Sequence, residues 1–108
     1  MIEGVSKDAW KEISKELTDK ATDVSSWSKG SFDSAQDSLA YHFDKHASEV
    51  GATSVEQYMR KAEGFMQNLR GAKKYGVDGA VEGTIRYVKN GKYIDLAPDG
   101  TIISFGKR

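Results

Sequence analysis

The sequence changes its grammar at Gly71, and that change limits the fold more than any other feature. Before it, apolar residues recur at three- and four-residue spacing, the period of helices that pack by one face. After it, glycines stand at 71, 76, 79, 83, 91, 100 and 106, and β-branched and aromatic residues replace the helix formers. The pattern predicts helices first and an antiparallel meander second, an α+β fold. The 108 residues suit one small domain with a single core. Within it, residues 1–31 read as a helix and a serine-rich loop, and residues 32–108 as the main body.

The spacing of Trp10, Ile13 and Leu17 predicts a helix over residues 6–21, with Ser6 as its cap. From Thr22 to Ser38 six serines accompany isolated Val24, Trp27 and Phe32, a loop tied down by its aromatics. A second helix starts near Phe32–Ala35 and runs to Val50, with Leu39, Phe43, Ala47 and Val50 as its apolar stripe. Gly51 suits the left-handed position after it. A third helix opens at Thr53-Ser54 with a capping box, either Ser54 to Gln57 or Thr53 to Glu56. Its core face is Val55, Tyr58, Met59, Ala62, Phe65, Met66 and Leu69, and Gly71 stops it.

Thr84–Val88, Tyr93–Ala97 and Thr101–Phe105 read as strands. Asn90-Gly91 predicts a type I′ hairpin, and Pro98-Asp99-Gly100 a second turn. The hairpin sets its own register: Val88 opposes Tyr93, Tyr87 opposes Ile94, Arg86 opposes Asp95 and Ile85 opposes Leu96. Ile85, Tyr87, Ile94 and Leu96 then face the helices. Arg86, Val88, Tyr93 and Asp95 form the other face, expected to be open and suited to binding.

Composition removes several function classes. Without cysteine there is no disulfide scaffold, thiolate zinc site or cysteine nucleophile. No apolar run is long enough to span a bilayer and no signal peptide is visible, so no membrane binding is expected. The net charge is zero, but residues 1–54 hold six Lys/Arg against ten Asp/Glu, and residues 55–108 ten against six. Such a chain can present a basic side to an anionic partner.

Both histidines lie in Tyr41-His42-Phe43-Asp44-Lys45-His46. At 100° per residue, His42 and His46 share one side of a helix, and Lys45 and Glu49 continue it. Such a cluster can supply a general base, a general acid and a cation for phosphate. The same pair fits two surface histidines. It also fits half of a zinc site, although Phe43 stands where the metalloprotease pattern needs glutamate and no third ligand is marked by spacing.

His42-Phe43-Asp44-Lys45-His46, followed by Ser54-Val55-Glu56-Gln57-Tyr58, resembles the His-Phe-x-Lys-His helix of bacterial polymorphic toxin tips. Residues 91–106, Gly-Lys-Tyr-Ile-Asp-Leu-Ala-Pro-Asp-Gly-Thr-Ile-Ile-Ser-Phe-Gly, are similar to the closing strands of the same toxins. These are the barnase/EndoU/colicin-like ribonuclease domains of contact-dependent growth inhibition proteins, and the likeness covers about residues 39–108. It departs from the pattern at Ala47, where glycine usually follows, and in its balanced charge, which makes a helper protein more plausible.

The resemblance implies an antibacterial toxin: a ribonuclease that cleaves transfer RNA by acid–base chemistry without a metal or other cofactor. It also implies a cognate immunity protein, in some relatives an elongation-factor requirement, delivery as part of a larger secreted or surface protein, and action in the target-cell cytoplasm. Its catalytic residues would be His42, Lys45, His46, Arg86, Thr101 and Ser104. Tyr87, Tyr93, Asp95, Lys73, Lys74, Lys89 and Lys92 would bind the substrate. Two other functions compete: a non-enzymatic module that binds protein through the open sheet face, and a metal-dependent nuclease using Asp44, Glu49 and the histidines.

Overall fold

The computed structural model describes residues 9–108; the Ser6 cap lies outside them. The fold is α+β, as the pattern predicts: three α-helices are followed by a four-stranded antiparallel sheet. The helices are α1 (Ala9–Asp19), α2 (Ala35–His46) and α3 (Val55–Met66), and a 3-10 turn, Ala47–Val50, continues α2. The strands β1 (Lys73–Gly76), β2 (Ile85–Lys89), β3 (Lys92–Leu96) and β4 (Ile102–Lys107) lie in chain order across the sheet.

Local signals place the helix ends. The Ser34 hydroxyl accepts from the Asp37 amide at 3.1 Å and starts α2. Ser54 does the same for α3 through Gln57, and the Gln57 side chain returns to the Thr53 amide at 2.6 Å. The box is therefore Ser54–Gln57, one of the two forms expected. The predicted second helix tightens into its 3-10 turn after His46 and ends at Gly51, whose φ of 71° is left-handed.

α1 packs on α2, with the Trp10 ring edge-on to Tyr41 at 6.0 Å. α3 lies against the sheet face of Ile94 and Phe105, and the buried Tyr58 hydroxyl donates to the Phe105 carbonyl. Leu17, Trp27, Leu39, Tyr58, Ile94, Ile102 and Phe105 form the centre of the core. The serine-rich loop is part of this body. Trp27 bridges Ile102 in parallel, and the Ser28 and Ile102 amides bond to the Ile102 and Ser26 carbonyls at 2.8 Å. The loop thus covers the start of the outer edge of β4, where Ile102 would otherwise expose unpaired backbone groups.

The hairpin register is the one read from Asn90-Gly91, whose φ angles of 53° and 76° are both left-handed. Two features differ from expectation. A fourth strand, β1, pairs along β2 although Lys-Lys-Tyr-Gly carries no strand pattern; its side chains are exposed, and the backbone ladder to β2 holds it. In addition, Ile103 is an extra residue between the Asp95–Ser104 and Leu96–Ile102 pairs, a bulge that keeps Ser104 and Ile102 each in place on its own face.

Candidate functional site

Strand pairing builds the site in two rows, because opposed residues point to the same side of a sheet. One row is Tyr75, Arg86, Asp95 and Ser104 across β1 to β4, and the next is Lys73, Val88, Tyr93 and Gly106. The C-terminal end of α2 and the 3-10 turn lie along β4 and bring the histidines to this face.

His46 is the centre. Its Nδ1 lies 2.9 Å from Glu49 Oε1, and its Nε2 lies 3.3 Å from the Tyr93 hydroxyl. A carboxylate only accepts, so the proton is assigned to Nδ1 and Nε2 is left as the acceptor toward Tyr93. The Tyr93 hydroxyl continues to Ser104 Oγ at 2.8 Å. Partial burial is the largest influence on Glu49 and acts to raise its pKa. The Lys107 amide at 3.1 Å and the His46 hydrogen bond outweigh it and hold the carboxyl below its usual range. Gly106 permits this approach: a Cβ there would fall 2.8 Å from Glu49 Oε1 and 3.0 Å from both His46 Nδ1 and the Tyr93 ring.

His42 stacks on His46 with centroids 6.2 Å apart and planes at 12°. Its Nδ1 lies 2.8 Å from the Ser38 carbonyl, and the Ser38 hydroxyl takes the Trp27 indole N–H at 3.3 Å. Burial pushes the His42 pKa down to about 4, with the charges of His46 and Lys45 acting in the same sense and the Ser38 carbonyl opposing. His42 is therefore neutral at pH 7. The Arg86 guanidinium grips Asp95 through two bonds of 2.7 and 2.9 Å and lies 4.4 Å from the Tyr93 ring centre. The Asp95 bonds, working against partial burial, raise the Arg86 pKa still further above its ordinary value. Burial likewise raises Tyr93, against its Ser104 bond, and keeps the hydroxyl protonated.

The expected residues divide. His42, His46, Arg86, Tyr93, Asp95 and Ser104 come together. Lys45 stands apart, with its ammonium 5.7 Å over the Tyr41 ring, and reaches the cluster only as a nearby charge. Thr101 does not join: its hydroxyl donates to Asp99 at 2.6 Å and closes the turn before β4. Tyr87 packs against the core from the opposite face. Of the four expected lysines only Lys73 shares the histidine face, since Lys74 pairs with Tyr87, and Lys89 with Lys92. The face is also less open than expected, with Tyr93 only 8% and Asp95 only 6% exposed, because α2 and its 3-10 turn lie along this side.

The residues that support the histidines differ in how far the sequence discloses them. Glu49 was legible as the i+3 partner of His46 on a helix. Ser38 and Trp27, which hold His42, come from the segment read only as a loop. Tyr75 is 40% exposed, the one large apolar side chain so exposed among the described residues, and it joins Arg86 only because β1 pairs with β2. Among the described residues no group of three or more His, Asp or Glu gathers into a metal-binding set, and no helix is long and apolar enough to cross a membrane. No family model, curated protein or solved structure matches the chain.

Proposed function

We propose that this chain is a metal-independent ribonuclease that cleaves its substrate by transesterification. The observation that carries the reading is His46 held between Glu49 and the Tyr93–Ser104 hydroxyl pair, beside Arg86. Nε2 of His46 takes the proton of the ribose 2′-hydroxyl, whose oxygen attacks phosphorus. The bond to the 5′-oxygen breaks, and that oxygen leaves with the Tyr93 hydroxyl proton, which the proton just taken by His46 Nε2, 3.3 Å from that hydroxyl, replaces. Arg86 and the Ser104 hydroxyl stabilise the charge that grows on the phosphorane. The products carry a 2′,3′-cyclic phosphate and a free 5′-hydroxyl. His42, neutral at pH 7, packs against the base and does not act as the acid.

The finer parts of the proposal rest on the toxin resemblance. The substrate is transfer RNA, a cognate immunity protein covers the histidine face, an elongation factor assists, and the domain acts in a target cell that it reaches within a larger protein. The test incubates the folded chain with transfer RNA in the presence of a chelator and maps the ends formed. Cyclic phosphate ends are expected, and His46→Ala should slow cleavage by at least about 100-fold while the circular dichroism stays unchanged. Intact RNA, or cleavage undiminished in His46→Ala, would refute the reading. The competing function, a protein-binding face, is favoured by one observation: Arg86 already has its charge answered by Asp95. A partner that binds equally well to His46→Ala, with no RNA cut by the parent chain, would select it.

A further inference from the structure

The reverse face of the sheet carries a second site. Between α3 and the paired ends of β3 and β4 lies a groove of about 280 Å³. Val50, Phe65 and Phe105 give it an apolar wall, and Lys61, Asn68 and Lys92 supply its polar groups.

Two features that work against stability meet here. Gly64 also lines the groove and stands inside α3, where glycine is the least favourable residue after proline. A Cβ at Gly64 would meet nothing within 4 Å, so packing does not require the glycine. In addition, Lys89, Lys92 and Lys107 oppose one another across β2, β3 and β4. Strands lie about 4.8 Å apart, and like charges directly opposite destabilise a sheet. Side-chain alternation puts this row on the same face as Phe105. Lys89 leans toward α3 and donates to the Asn68 carbonyl at 2.7 Å, while no carboxylate pairs with Lys61 or Lys92 among the described residues. A gap held open in a helix beside unanswered cations is a local conflict of the kind found at binding sites.

The groove lies on the opposite face of the same strand ends that carry the histidine face. Val50, Lys92 and Phe105 are the chain neighbours of Glu49, Tyr93 and Gly106, so one strand end separates the two sites. We infer that the groove binds one nucleotide of an RNA strand whose cleaved phosphate lies on the histidine face. The base lies against Phe65 and the phosphate meets Lys61 and the lysine row; this identity rests on the ribonuclease reading. An aromatic wall with flanking cations suits any base, because stacking is tolerant of sequence.

The test titrates the full chain with adenosine 5′-monophosphate and follows the amide resonances of Gly64, Asn68 and Lys92. Saturable shifts at these positions are expected. Gly64→Leu, which fills the groove and favours the helix, should remove them, and Lys61→Glu should weaken binding about tenfold. Inorganic phosphate alone should bind at least about tenfold more weakly than the nucleotide, for want of stacking. Shifts confined to Tyr93, Ser104 and Gly106, or unchanged in both variants, would overturn the inference. So would a poly-glutamate peptide that binds as tightly as the nucleotide, which would give the groove to an acidic protein. The titration needs no cleavage. Nucleotide bound here by a chain that leaves RNA whole would refute the ribonuclease and support the groove; RNA cut by a chain whose groove stays silent would do the reverse.

Discussion

Acidification should weaken this fold through His42. The folded-state pKa lies at about 4 because burial disfavours the imidazolium, whereas the ring titrates near 6.5 when unfolded. Between those values the unfolded chain binds the proton and the native chain does not. The stability contributed by neutral His42 is thus complete above about pH 6.5 and is lost as the pH falls toward 4. At about 1.4 kcal/mol per pH unit the difference converts to about 3 kcal/mol. The ring is not wholly out of water, which brings the expected loss to about 2–3 kcal/mol. Urea unfolding of the parent and of His42→Gln, measured from pH 7 to pH 4.5, isolates this effect, because the carboxylates titrate alike in both. The parent should lose the extra stability and the variant should not, and the His42 ring proton should titrate near pH 4. Parallel curves for the two proteins, or a ring that titrates near 6.5, would refute the burial argument. They would also return His42 to the candidates for the catalytic acid.

Two further perturbations probe the same face. Gly106→Ala places a methyl group 2.8 Å from Glu49 Oε1; it should displace His46 and slow RNA cleavage about 100-fold, with about 1–2 kcal/mol lost in urea unfolding. Cleavage at the parent rate would show that the Glu49–His46 contact is not needed. Arg86→Lys keeps the charge but loses the two-pronged grip on the buried Asp95. With Arg86 28% exposed, the expected loss in chemical denaturation is about 1–2 kcal/mol, and unchanged stability would mean that solvent already screens the pair.

What the sequence disclosed follows the range of the forces involved. Asn90-Gly91 acts over two residues, so the hairpin register, and with it the pairing of Arg86 with Asp95, was legible. The histidine helix was legible because its stripe repeats every three to four residues. β1 was hidden because Lys73, Lys74 and Tyr75 follow no pattern; the ladder to β2 creates the strand, and it alone brings Tyr75 beside Arg86. Thr101 read as a strand residue able to hold phosphate, yet its nearest acceptor, Asp99, is two residues away and captures it. The split of the lysines between two faces was implicit in alternation, but for Lys73 and Lys74 only once β1 was known. The closure over Tyr93 depended on where α2 would dock, and no short-range signal encodes that.

The seam between Trp27 and Ile102 also bears on the order in which the histidine face can be assembled. A ribosome releases both histidines long before residues 102–107. Until those residues emerge, the loop around Trp27 has no strand to close upon, Tyr93 has no Ser104, and Glu49 lacks the Lys107 amide. A nascent or truncated chain therefore lacks the surroundings that direct its histidines until the final strand docks.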